Sequence, residues 1–368
     1  MLKPKINVAL VGCGYIAENV HLPLLTNHKS ARVIAVCDVN RERAISIANK
    51  FGIAKAYDDF EDMLEKCDAI DIIDVCTPPQ THGELIKKSL KRGYPCIVEK
   101  PFTLATKEAE EVIDLSRRTG VKVYVIHNYS FVPCMRKAKS IVLKGKLGRI
   151  KLVETSYFTD IRKERYYDAT HWTHKLPAGI LSSEITPHLI MLLLDFLDKI
   201  VEAKVLLAKS NLNPHMSGEE LKMILFSKDG ATGHLNLSYD SPMISHTLNI
   251  FGDRGLLSID FLTQTIVFHK IPSEISITDQ ISKSKFIRAR WAIEDIVWRL
   301  TGLLNVGVRT AFGRYKMLAE GHRFLFQRCF EDLNNMSRYP VDINKCYEVV
   351  RLLNVIYAKA EGAIGAHI

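Results

Sequence analysis

Residues 6–25 read INVALVGCGYIAENVHLPLL, and this stretch decides the fold. Ile6 to Val11 is a short apolar run, as a buried strand requires, and Gly12-Cys13-Gly14 breaks it. A helical pattern follows to about Thr26. Gly12, Gly14, Tyr15, Ile16 and Ala17 therefore form a GxGxxA turn between a strand and a helix. Each small residue has a mechanical job there. Gly12 permits the tight turn, Gly14 lets a pyrophosphate approach the backbone, and Ala17 lets the helix pack against the strand. Free N–H groups at the helix start favour an anion. The next apolar run, Ala31 to Cys37, ends at Asp38, where a carboxylate can accept from a ribose 2′-hydroxyl. That carboxylate repels a 2′-phosphate, so the pattern predicts NAD. Arg41 lies close enough in sequence to reach a phosphate, which keeps NADP open. Asp38 can also serve as a cap for a helix starting near Asn40.

Outward from this motif, strands and helices alternate. Ile70–Cys76, Pro95–Val98 and Val121–Ile126 read as strands; Gln80–Lys91, Thr106–Arg118 and Cys134–Lys144 read as helices. Alternation of this kind means βαβ units and a parallel sheet. Asp74 interrupts one of these strands, where a buried carboxylate must find donors or take up a proton. The texture changes near Gly148. Residues 149–160 read as a strand and 185–197 as an apolar helix. Six further strand-like runs follow, at 201–209, 221–226, 232–239, 247–251, 256–260 and 265–269, separated by turns such as Gly252-Asp253-Arg254-Gly255. The pattern turns helical again from about 284 to 360, after a polar stretch at 275–285 that reads as a loop. The fold class is α/β: a doubly wound parallel Rossmann sheet, then an α+β domain with an open, mostly antiparallel sheet. The domains are placed at 1–128 and 129–368, with C-terminal helices able to pack back on the first.

The totals agree. A chain of 368 residues suggests two domains. Hydrophobic residues at 47% and charged residues at 25% are ordinary for a packed globule. No apolar run is long enough to span a membrane, and the N-terminus runs into a strand pattern without a signal-peptide core. The eight cysteines are scattered, with no metal-ligand spacing and several inside apolar runs. A reduced, cytoplasmic chain without structural metal is the reading. The formal charge is +9, concentrated at 281–329, where ten basic residues stand against three acidic ones. That segment is a solvated helix face or an attraction for an anionic substrate. No nucleic-acid-binding module accompanies it.

Further signals follow the later strands. Thr77-Pro78-Pro79 and His82 follow the strand ending at Cys76, and Glu99-Lys100-Pro101 ends the next. With GxGxxA before them and an antiparallel domain behind, these motifs resemble the Gfo/Idh/MocA oxidoreductase family. The resemblance covers most of the chain, strongly over 1–150 and loosely beyond 270. It implies oxidation or reduction of a sugar, cyclitol or nucleotide sugar, with Lys100 beside the nicotinamide and on the reacting hydroxyl. It also implies a dimer or tetramer built through the C-terminal sheet. Thr77, Pro78, His82, Glu99 and Asn128 are expected around the cofactor, and His127 near the substrate. The family's Asp-x-Gly-x-His motif is matched by Glu184-Ile185-Thr186-Pro187-His188, with Glu for Asp and Thr for Gly. Pro187 is comfortable only in a first helical turn, so Thr186 reads as N-cap and His188 as a first-turn acid/base held neutral by the helix dipole. Met191 and Ser130 stand where the family often has Asp and Arg. His171-Trp172 lies where the family often contacts substrate, and Trp172 is the expected contact. An NAD-bound glycosidase of the same fold and a non-catalytic sensor of NAD or sugar are the competing readings.

Overall fold

The structure is a computed structural model. It describes residues 4–163, 167–168, 171–176, 178–179, 181, 184–208, 220–271 and 313–362, with backbone alone at 172 and 313–318. The loop expected at 275–285 and the basic residues 283–309 lie outside them. Contacts divide the chain into two compact units, one of residues 1–128 with 319–354 and one of 129–318 with 355–368.

In the first unit, six parallel strands lie in the order β3-β2-β1-β4-β5-β6. They are β1 (Ile6–Val11), β2 (Ala31–Cys37), β3 (Lys55–Tyr57), β4 (Ile72–Val75), β5 (Cys96–Val98) and β6 (Val123–Val125). Chain order reverses between β1 and β4, and ligands of such sheets bind at that switch point, beyond the strands' C-terminal ends. Val8, Ala9, Leu10, Ile72 and Ile73 are fully buried, as strands covered on both faces must be. The helices between them are α1 (Leu22–Thr26), α2 (Arg41–Phe51), α3 (Phe60–Lys66), α4 (His82–Lys91) and α5 (Thr106–Thr119). Asn40 caps α2, its side chain accepting from the Arg43 amide at 2.9 Å. The first helix is not regular. Ala17–His21 winds as a π-turn, the Leu22 amide reaching back to the Ala17 carbonyl, before α1 begins. Such insertions are rare and concentrate at functional sites.

The second unit holds α6 (Pro133–Leu143), α7 (Thr186–Leu194) and a seven-stranded sheet in the order β13-β12-β11-β7-β10-β9-β8. Its strands are β7 (Ile150–Asp160), β8 (Ile200–Ala208), β9 (Glu220–Ser227), β10 (Thr232–Ser238), β11 (Asp240–Gly252), β12 (Gly255–Asp260) and β13 (Thr265–Lys270). Every pair is antiparallel except β7 with β10. Every residue of α7 is buried, and the helix packs on β7 and β10. Strand β11 is longer than its apolar core predicts, because residues 240–245 continue alongside β7 across a register break.

The C-terminal helices are α8 (Gly313–Leu333) and α9 (Ile343–Ala360). Of these C-terminal residues, 319–354 fold with the first unit. The reason is a stripe at helical spacing on α8, in which His322, Leu325, Phe326, Cys329 and Phe330 are buried. Asp332 then accepts from Tyr124 Oη at 2.8 Å and Lys122 Nζ at 2.9 Å, and Tyr339 Oη donates to the Val125 carbonyl at 3.0 Å. Among the described residues, no helix is long and apolar enough to cross a membrane.

Candidate active site

Gly12 turns with φ +92°, a left-handed region that L side chains rarely enter. A Cβ there would also lie 2.7 Å from the backbone of Cys76 and Thr77. Gly12 is thus required twice, by the turn and by the closeness of β4's end. Gly14 is different. A Cβ on it would meet nothing within 4 Å, so the glycine leaves open space in front of the first helical turn. Tyr15 is half-exposed beside it, Ile16 is partly covered, and Ala17 is fully buried where helix meets strand. This open, amide-lined turn fits a dinucleotide pyrophosphate.

Asp38 is buried at the end of β2 and braces that turn. Its Oδ2 accepts from the Cys13 amide at 2.8 Å, and its Oδ1 from the Asn40 amide at 2.9 Å. A carboxylate has about four acceptor sites, so capacity for a ribose diol remains. The Arg41 guanidinium turns to Asp58 at 3.0 Å, and Arg43 is the cation beside Asp38, at 3.6 Å. Two residues along a helix rotate the side chain by about 200°, which takes Arg41 away and brings Arg43 in.

Thr77 and Pro78 begin the loop after β4, where Thr81 Oγ1 donates to Thr77 Oγ1 at 2.7 Å. His82 is fully buried between two loops. Its Nδ1 lies 2.9 Å from the Pro101 carbonyl and its Nε2 2.9 Å from the Thr77 carbonyl, so it ties the two loops together. Burial pulls its protonation below the usual histidine range.

Glu99 has donors on both of its oxygens. Its Oε1 accepts from His21 Nε2 at 3.0 Å and His322 Nε2 at 3.1 Å, and its Oε2 from the Lys100 amide at 3.1 Å. Glu99 is buried, and its Oε2 holds the amide of Lys100. Burial would raise its carboxyl, but the two histidines hold it well below the usual range. His21 Nδ1 meets Asp74 Oδ2 at 2.8 Å, which gives the interrupting carboxylate of β4 its partner. Burial opposes charge on His21; Asp74 and the Cys76 sulfur outweigh it and hold the ring well above the usual range. Lys100, one residue past this network and joined to Pro101 by a cis bond, is only partly covered. His127 and Asn128 are buried at the unit's last strand. The Asn128 carbonyl would lie 2.2 Å from a Cβ on Gly321, so that glycine lets α8 close on it.

In the second unit, His188 is the third residue of α7 and is buried, its ring 4.5 Å from that of Tyr129. Tyr129 also faces His246 at 5.1 Å, and His246 stacks on Phe261 at 4.2 Å. The helix begins one residue before the expected place. Ile185 is the N-cap, and Thr186 is the first helical residue, its hydroxyl donating back to the Leu181 carbonyl. A buried hydroxyl takes that carbonyl because it has no water to turn to. His188 remains in the first turn, and Glu184 is half-buried just before it. Trp172 opens a short 3₁₀ turn, Trp172–Lys175, for which His171 is the N-cap; its side chain lies outside the described residues.

The nucleotide turn, the Asp38 brace and Lys100 thus gather in one unit, and His188 with Glu184 in the other. Tyr129, His246, His21, Arg43 and His322 escaped the sequence reading. His21 carried a signal, a polar residue in the otherwise apolar VHLPLL. His322 carried none. From the basic segment, Arg323 and Arg328 are described and pair with Glu320 and Glu331, as a solvated helix face does.

Residues 6–127 match a family model described as an oxidoreductase family, GFO/IDH/MocA, with an NAD-binding Rossmann fold, and 135–258 match the GFO/IDH/MocA C-terminal domain. Oxidoreductase P35 of Formosa agariphila is 26% identical over 73% of this chain and 84% of its own. A scyllo-inositol 2-dehydrogenase (NAD+) of Bacillus subtilis is 30% identical over 40% of this chain, which spans 43% of that enzyme. Among solved structures, the WlbA dehydrogenase of Bordetella pertussis, in complex with NADH and UDP-GlcNAcA, superimposes with a TM-score of 0.77. It is 19% identical, over 100% of this chain and 98% of that one.

Proposed function

We propose, from the premise that this chain belongs to the GFO/IDH/MocA family of NAD-binding oxidoreductases, how it works as a dehydrogenase of sugars, cyclitols or nucleotide sugars. The observation that carries the reading is Lys100. It follows β5 at the C-terminal edge of a sheet ordered β3-β2-β1-β4-β5-β6, with its amide held by Glu99. Gly12, Gly14 and Ala17 would hold the pyrophosphate of NAD and Asp38 its ribose diol; Tyr15, Ile16, Thr77, Pro78 and Asn128 line the same reading. When bound, NAD supplies the hydride acceptor or donor. Arg43 beside Asp38 leaves a cation near the 2′ position, and Asp38 still favours NAD by repelling a phosphate.

The chain's own part is to manage the substrate oxygen. A carbinol that gives up hydride must also give up its hydroxyl proton, and the oxygen passes through partial negative charge. Lys100 holds that oxygen with a positive charge, which stabilises the developing anion. His188 takes the proton in oxidation and returns it in reduction, while Glu184 orients its ring. His127 and Trp172 are assigned to the substrate. Relatives are named as dehydrogenases of D-apiose, of D-glucosides and of scyllo-inositol, and two similar structures hold UDP-GlcNAcA. The eight cysteines are all free and buried, which fits a cytoplasmic chain.

Purified protein is incubated with NAD and a panel of free sugars, inositols and nucleotide sugars, and NADH is followed. Formation of NADH with at least one, abolished in Lys100→Met, is expected. NAD binding with no NADH from any polyol would refute the dehydrogenase reading.

A further inference from the structure

His21 has an acceptor on each ring nitrogen, and neither acceptor has a proton to give while ionised. Asp74 Oδ2 lies 2.8 Å from Nδ1 and Glu99 Oε1 lies 3.0 Å from Nε2. A neutral imidazole carries one N–H and satisfies one of them; only the imidazolium donates to both. Cys76 Sγ, 3.1 Å from Nδ1, and Phe326, edge-on at 5.0 Å between ring centres, complete the surroundings. The same Glu99 Oε1 is also reached at 3.1 Å by His322 Nε2, which α8 delivers from 223 residues away. The other oxygen of Glu99 is on the Lys100 amide. The four side chains are buried: His21 and Asp74 are 0% exposed, His322 is 3% and Glu99 6%.

We propose that His21 and His322 are positioning residues: they converge on Oε1 of the Glu99 carboxylate, and Glu99, through the Lys100 amide on its Oε2, sets where Lys100 presents its ammonium. Resting as it does on Lys100 holding the substrate oxygen, the clamp makes α8 part of the working site. The helix fixes the catalytic lysine without touching substrate. Two donors converging on Oε1 hold that oxygen more firmly than one, so losing His322 loosens the carboxylate about its last bond, and the amide it holds loosens with it.

The test uses the full chain. Lys100 acetylation by acetic anhydride is timed by peptide mass spectrometry, with exposed Lys91 and Lys107 as internal references. NADH affinity and turnover on the polyol found in the panel are measured alongside. His322→Leu should alter the Lys100 rate while Lys91, Lys107 and NADH affinity keep theirs. It should also lower kcat by roughly tenfold to a hundredfold, as a misplaced group does. His322→Gln, which still donates, should restore both. An unchanged Lys100 rate in His322→Leu, or a His322→Gln that behaves like it, would overturn the clamp. The unaltered protein gives a second reading should His322→Leu fail to fold. Its ¹⁵N-histidine spectrum at about pH 9, well above the ordinary histidine value of about 6.5, should keep one ring protonated on both nitrogens. A spectrum of neutral rings whose protons all lie on Nδ1, which would leave Glu99 Oε1 without a donor, would overturn the clamp as well. Normal turnover in Lys100→Met would remove the role given to Lys100 and leave the acetylation result standing.

Discussion

Gly12 and Gly14 stand two residues apart, and alanine at each should do different things. Gly12→Ala forces a side chain into φ +92° and sets its Cβ 2.7 Å from the Cys76 and Thr77 backbone. The left-handed backbone costs about 1–2 kcal/mol, and moving a packed strand end aside adds about 1–3 kcal/mol. A loss of about 2–5 kcal/mol in a domain of this size lowers Tm by roughly 5–15 °C. Gly14→Ala meets nothing within 4 Å, so it should melt with the parent protein. Its methyl instead occupies the space in front of the turn. Losing one amide-to-phosphate hydrogen bond of about 1.5–3 kcal/mol weakens NADH binding about tenfold to a hundredfold. Differential scanning fluorimetry and NADH fluorescence titration read the two effects separately. Should Gly14→Ala bind NADH as tightly as the parent, the pyrophosphate is not where this turn was assigned. Should Gly12→Ala melt unchanged, the contact with β4 is not what holds the turn.

Asp38→Ala should narrow the preference for NAD over NADP, and because two amides lose their acceptor it should also cost about 1–3 kcal/mol of stability; equal Kd values for the two dinucleotides in the parent would remove the ribose role. The C-terminal sheet leaves Val201, Leu206 and Ile224 exposed at 50%, 66% and 37%, so a dimer or tetramer is expected and a monomer by light scattering at micromolar concentration would contradict it. His21 is held above its ordinary protonation range, so its contribution to stability is complete below about pH 6.5 and is lost as pH rises through the raised value. The Tm gap between the parent and His21→Leu should therefore shrink from neutral to alkaline pH, and a gap that widens would show His21 to be neutral in the fold. Glu99 is the opposite case: held low, it stabilises above about pH 4.3 and loses that contribution in acid. Lys100→Met and His188→Ala should each lower turnover, the latter by roughly 10²–10⁴-fold, and the double variant should lose far less than the product, since groups acting on one substrate are not additive. Fully multiplicative losses would mean that the two do not serve the same step.

Much of the first unit was legible because its signals are local. A GxGxxA turn, an acid ending the next strand and alternating apolar runs need no knowledge of distant residues. What failed there failed for local reasons too. Strand β3 has only Lys55, Ala56 and Tyr57, with two of the three exposed, so no apolar run announces it. Arg41 was named on its closeness in sequence, whereas helical rotation brings Arg43 beside Asp38. Thr186 looked like a cap by type, but in a helix buried on every side its hydroxyl found a carbonyl behind it. The second sheet showed its strands by alternation, whereas the parallel pairing of β7 with β10 had no signal, because the two are far apart in sequence. The apolar stripe of α8 read as a helix, but which core it covers is a tertiary fact.

The buried charges bear on whether this chain catalyses or only senses. Replacing a buried ion pair by apolar groups of similar volume is often neutral or stabilising, whereas removing one partner costs about 3–5 kcal/mol. A Rossmann core that needed only to hold NAD would gain nothing from Asp74, His21, Glu99 and His322 at its centre. Leucines would pack there without desolvation. NAD itself is assigned to the glycine turn and Asp38, and the Glu99 contacts add nothing to either. What they do touch is the amide of Lys100, the residue whose placement matters to hydride chemistry and little to dinucleotide affinity. A sensor could lose the clamp and keep its ligand; a dehydrogenase that lost it would keep NAD and lose rate. The substitutions at 184, 186 and 191 do not reverse this, because His188 still stands in the first turn of a buried helix. The clamp therefore weighs on the side of catalysis.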